Sequence, residues 1–178
     1  MTAPTGQRLT LREMSQAILD AVVAHFAAAG VALPERRYVA PGDPAQIAWD
    51  CEQLVVALQG VGWGQSPSAG QALAKTGTMV GATGVRHAVF VIALIRCTPS
   101  DGDRDTGIPD AADIHAAGLD FMTDMGLLSQ ALLEACAVVQ AGFSRSALVE
   151  PGVVDPQGPS GTMHGMTAQL SITAGELV

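Results

Sequence analysis

The sequence predicts an α+β domain: a mostly antiparallel sheet with two main helices on one face and a long hairpin loop. Two observations predict it. Apolar residues recur at helical spacing in two segments, and they alternate or run on at strand spacing in several others. The order along the chain is helix, short strand, hairpin, long helix, hairpin, which suits helices gathered on one face of a sheet rather than a doubly wound parallel core.

The elements follow in turn. Thr10 and Glu13 form a Thr-x-x-Glu capping box. Leu11, Met14, Ile18, Val22 and Phe26 then recur every three or four residues, which predicts a helix over 11–28 stopped near Gly30. Arg36 to Ala40 is a short strand closed by Pro41-Gly42. Gln46 to Trp63 is apolar on both faces over part of its length, as expected of a central strand with helices on one side and a neighbouring subunit on the other. Residues 64–84, rich in Gly, Ser, Ala and Thr, form an extended loop, and a loop this long is usually functional or disordered. Val85 to Cys97 is the returning strand, with Val89, Val91, Ala93 and Ile95 on one face and Phe90, Ile92 and Leu94 on the other. An acidic loop, 98–109, leads into a second helix. Pro109 suits its first turn, Ile114, Phe121, Met125, Leu128, Leu132, Cys136 and Val139 form its stripe, and Gly142 ends it. Ser144 to Val154 and Met163 to Thr173 form a closing hairpin about the turn Asp155 to Gly161. No repeat or second domain is evident, so one domain spans 1–178.

Composition narrows the function. Hydrophobic residues make up 48% of the 178 residues and charged residues only 15%, so apolar surface has to be hidden, and a subunit interface is a natural place for it. Net charge is −8, and the nine basic residues do not cluster, which argues against a phosphate-binding patch. The longest apolar run contains Arg86, His87 and Arg96 and is too short to span a bilayer, and the polar start is no signal peptide. Cys51, Cys97 and Cys136 share no CxxC spacing and lie in apolar stretches, as expected of reduced, buried thiols in a cytoplasmic product. A single lysine, Lys75, and the absence of asparagine point to a GC-rich genome.

No motif carries convincing catalytic chemistry. Gly70 to Gly77 has Ala69 and Ala74 where a phosphate loop needs glycine. Asp101, Asp103 and Asp105 resemble half of a calcium loop, but Thr106 and Ala112 stand where glycine and the closing glutamate belong. A solvated acidic loop before a helix N-terminus is the better account. His25, His87, His115 and His164 show no HExxH or HxH spacing. Glu52 and His87 form a plausible cross-strand polar pair. Trp49 and Trp63 suit core or interface burial better than base stacking, given so few basic residues. No catalytic, cofactor or metal residue is assigned, and no enzyme activity is expected.

The order of elements, with Leu33-Pro-Glu-Arg-Arg-Tyr-Val-Ala-Pro-Gly42, Asp50-Cys-Glu-Gln-Leu-Val-Val56, His87 to Pro99 and Gly165 to Gly175, resembles the tail terminator (tail completion) proteins of long-tailed siphophages, particularly those of actinobacteria. The resemblance spans nearly the whole chain and rests on order and texture rather than on an invariant motif. It implies a homohexameric ring that caps the head-proximal end of the tail tube, stops its polymerisation and meets the head–tail connector or stopper. It also implies a place in the virion neck after synthesis in the host cytoplasm. DNA would pass through the lumen without specific binding, and an acidic wall suits that. Gln71, Lys75, Thr76, Met79, Asp101, Asp103 and Asp105 are the candidate lumen or subunit contacts, with no membrane role. Another neck or tail component, such as a stopper or tube protein, is the first alternative. A small α+β enzyme or ligand-binding domain is the second.

Overall fold

A computed structural model describes residues 10–41, 52–63, 86–97, 110–142, 147–160 and 163–174. Its elements are α1 (Leu11–Ala28), β1 (Arg36–Ala40), β2 (Gln53–Trp63), β3 (Arg86–Cys97), α2 (Ala111–Ala141), β4 (Leu148–Ser160) and β5 (Met163–Ala174). The five strands form one sheet in the order β1-β2-β3-β5-β4. Only the β1–β2 pairing is parallel. The fold is α+β, as the sequence predicts.

α1 begins as its capping box requires. The Thr10 hydroxyl accepts from the Glu13 amide at 3.2 Å, and Glu13 Oε2 accepts from the Thr10 amide at 2.7 Å. Two orphan donors of the first turn are thereby satisfied. The helix ends at Ala29, and Gly30 follows at φ +70, a left-handed conformation that glycine adopts without a Cβ penalty. Met14, Ile18, Val22 and Phe26 are fully buried against the sheet and α2.

β2 and β3 are buried on both faces. Leu54, Val56, Phe90, Ile92 and Leu94 face the helices, together with Met166, Ala168, Leu170 and Ile172 of β5. On the opposite face Val55, Ala57, Val91, Ala93 and Ile95 are also buried. Tyr38 packs against Ala40, Val55 and Ala57 there, and its hydroxyl donates to Gln53 Oε1 at 3.0 Å. That bond satisfies an otherwise buried amide oxygen.

Four boundaries differ from expectation. β2 begins at Gln53 rather than Gln46; Glu52 before it sits at φ +58, which breaks strand geometry, and 46–51 lie outside the described residues. α2 is capped by Asp110, whose carboxylate accepts from the Ala112 amide at 3.2 Å, so Pro109 precedes the helix instead of opening it. Ile114 is 52% exposed, so the buried stripe starts further along. β4 continues through the expected turn as far as Ser160 despite Pro151, Pro156 and Pro159. An edge strand tolerates proline because one side of it has no ladder to feed, and register shifts after Pro151 and Gln157 absorb the misfit.

α2 is the single element among the described residues long and apolar enough to cross a bilayer by length and composition. Its C-terminal half is instead a core helix, with Leu128, Ala131, Leu132, Ala135 and Val139 packed into the layer shared with α1 and the sheet. The first turns, Ala111 to Asp120, are exposed apart from a half-buried Ala117.

Candidate functional site

Where α2 leaves the sheet, a cleft of about 550 Å³ opens between the helix, the residues that follow α1, and the ends of β2, β3 and β5. Glu52, Arg96, Asp120, Phe121, Asp124 and His164 line it. Each is placed by its element. Arg96 continues the helix-facing alternation of Phe90, Ile92 and Leu94, so its side chain turns toward α2. Asp124 lies one turn before Leu128 on the buried stripe and is itself buried. Arg96 Nε donates to Asp124 Oδ2 at 2.9 Å and Nη2 to Oδ1 at 3.3 Å. This is the forked geometry that guanidinium and carboxylate share.

The guanidinium is fully engaged. Nη2 also donates to the Ala32 carbonyl at 2.8 Å, and Nη1 lies 3.6 Å from Glu52 Oε2. One side chain thus ties β3 to α2, to the start of β2 and to the link between α1 and β1. Glu52 also accepts the Cys97 amide proton at 3.1 Å through Oε1. These contacts fix Glu52 in its left-handed conformation, one that costs a non-glycine residue roughly 1 kcal/mol or more. The cross-strand pair expected between Glu52 and His87 does not form. Glu52 faces the helix layer with Arg96, whereas His87 sits on the opposite face opposite Gly62, whose missing Cβ leaves room for the imidazole.

His164 packs edge-on against Phe121, with ring centroids 5.4 Å apart and planes at 71°. Burial lowers its pKa from the ordinary 6.5, and the nearby Arg96 charge lowers it further. His25 pairs through Nδ1 with Glu134 at 2.9 Å, joining α1 to α2, and His115 is exposed on α2. Structural roles account for His25 and His87.

The cysteines divide. Cys136 is free and buried, and burial pushes its thiol up to about 11, which makes it inert. Cys97 is exposed and disulfide-bonded, which corrects the expectation of a reduced, buried thiol there. Its position explains the difference: it ends β3 at the rim of the cleft, beyond the packed layer. Among the described residues no three of His, Cys, Asp and Glu gather as a metal site would require.

The expected contact residues Gln71, Lys75, Thr76, Met79, Asp101, Asp103 and Asp105 lie outside the described residues, as do Trp49, Cys51 and the loops 64–84 and 98–109. Sequence reasoning missed the Arg96–Asp124–Glu52 network. A signal for it existed: a charge at a core-facing position of an apolar strand, and another on the apolar stripe of a helix, each needing a buried partner. No family model matches the chain, and neither does any characterised protein.

Proposed function

We propose that this protein is a structural subunit of a homohexameric ring that caps the head-proximal end of a phage tail tube, stops its polymerisation and joins it to the head connector. The observation that carries this reading is the first half of α2. Ile114, Leu119 and Met122 are 52%, 53% and 70% exposed on a helix whose other half is core, so apolar surface is presented where a neighbouring copy could cover it. A closed ring needs two different flanks that fit each other, and two surfaces are candidates for them. One carries the exposed turns of α2, and the other is the β1 edge with exposed Arg36 and Arg37. The opposite sheet edge, β4, is blunted by prolines, which discourages open-ended strand addition. The net charge of −8 suits a passage through which DNA slides without sticking.

The cleft favours a second reading, a small ligand-binding domain. It is the weaker one, because Arg96, the cation best placed to hold a ligand, already has all its nitrogens engaged. Immunogold electron microscopy of the intact source virion separates the alternatives. Gold confined to the head–tail junction is the expected result. Gold along the whole tail makes this a tube protein, and accessible virions without gold return the cleft to first place.

A further inference from the structure

We propose that the outward face of α2 is a self-docking surface, on which a second copy of this chain packs across a two-fold axis at Met122. Charge is the first reason. α2 carries four acids, Asp113, Asp120, Asp124 and Glu134, and no lysine or arginine. The first three line the cleft, and Glu134 pairs with His25 of α1. Among the described residues of α2, the side turned away from α1 and the cleft therefore has no Asp, Glu, Lys or Arg, and His115 is its one exposed titratable group. The solvent face of a helix normally carries charged and polar residues. Here it carries Ile114, Met122 and Leu133, which are 52%, 70% and 59% exposed.

The glycines point the same way. Gly118 and Gly126 lie four residues to either side of Met122, on one line along the helix. Glycine is a poor helix former, and a Cβ at either position would meet nothing within 4 Å, so no packing inside the subunit requires it. Bare backbone serves a surface that approaches from outside. In an antiparallel pair with its axis at Met122, Gly118 of one copy stands opposite Gly126 of the other, and the two Met122 side chains meet between them. The face is thus its own complement. Each chain has a net charge of −8, so two copies approach best where their acids point away from the contact, and this face meets that condition. A helix of 31 residues spans about 46 Å, and a stripe about 10 Å wide along it covers on the order of 500 Å² per copy. The total of about 1,000 Å² is at the lower limit of a specific interface, which makes the pair a reversible one. The pair does not depend on the ring reading. Where that reading holds, the pair covers Leu119 and Met122 and has to open before a copy joins a ring.

Sedimentation equilibrium of the full-length protein tests the pairing, and cross-linking places its axis. Wild type should pass from monomer to dimer as its concentration rises, and about 1 M salt should not weaken the dimer, because an apolar contact is not screened. Gly126→Leu would strengthen a loose apolar contact, but it should leave this close-packed pair monomeric with an unchanged far-ultraviolet spectrum. Met122→Cys should form a disulfide-linked dimer on exposure to oxidised glutathione, and wild type and Leu133→Cys, which is exposed but off the axis, should not. Met122 is 70% exposed, so its replacement leaves the core intact, and the cross-link decides the matter if Gly126→Leu does not fold. A wild type that stays monomeric at every concentration overturns the proposal. A wild-type hexamer without the Met122 link also overturns it and leaves the ring reading standing. Flotation with phosphatidylcholine vesicles in place of pairing would give the face to a lipid surface and overturn it too.

Discussion

Arg96 and Asp124 are the residues on which the cleft depends, and their energetics follow from burial. A buried ion pair contributes little relative to a well-packed apolar pair, but removing one partner strands the other charge. Asp124→Ala should therefore destabilise the protein by about 3 kcal/mol, read as a shift in the urea midpoint at constant slope. A midpoint unchanged from wild type would mean that Arg96 finds water without cost. His164 makes a second prediction. Its folded pKa lies below the ordinary 6.5, so the unfolded chain takes up its proton first as pH falls. Its contribution is intact above pH 6.5 and is lost as pH drops below that value. Melting curves between pH 7.5 and 5.5 should show wild type losing stability faster than His164→Gln, and equal slopes would remove His164 from the account.

At the scale of elements, α2 is two helices in one. From Asp124 onward it is core, and before that it is surface. Gly118 and Gly126 interrupt it, and a Cβ built at either meets nothing within 4 Å. Replacing a helix-interior glycine by alanine removes backbone freedom from the unfolded chain at no steric cost. Gly118→Ala should therefore stabilise the isolated protein by about 0.5–1 kcal/mol, seen as a higher melting temperature. A lower one would mean that the helix must bend there. Gly165 is the opposite case: its Cβ would stand 2.9 Å from the Leu94 carbonyl oxygen, so the same substitution between β5 and β3 should destabilise.

At the scale of the whole molecule, the open question is what covers the exposed turns of α2. If a second copy does, Leu119→Glu with Met122→Glu should leave the far-ultraviolet spectrum and melting of the monomer unchanged while abolishing ring formation in sedimentation velocity. Rings that persist in the double variant would exclude this surface from the interface. Both side chains are more than half exposed, so the substitutions leave the domain core untouched.

Local chemistry in the sequence determined α1 with its capping box, the α+β class, and the two-faced alternation of β3. Each of these depends on neighbours three or four residues apart along a helix, or two apart along a strand. Where β4 ends was not legible, because the prolines of 151–159 signal a turn unless the strand is known to be an edge, and edge position is a property of the assembled sheet. The cleft was hidden for a related reason. Glu52, Arg96 and Asp124 are separated by 44 and 28 positions, and nothing local links them until β2, β3 and α2 pack together. The sequence showed that charges stood at core-facing positions. Only the tertiary structure decided which partners they would meet, since a buried charge must be satisfied by whichever opposite charge the packing brings within reach.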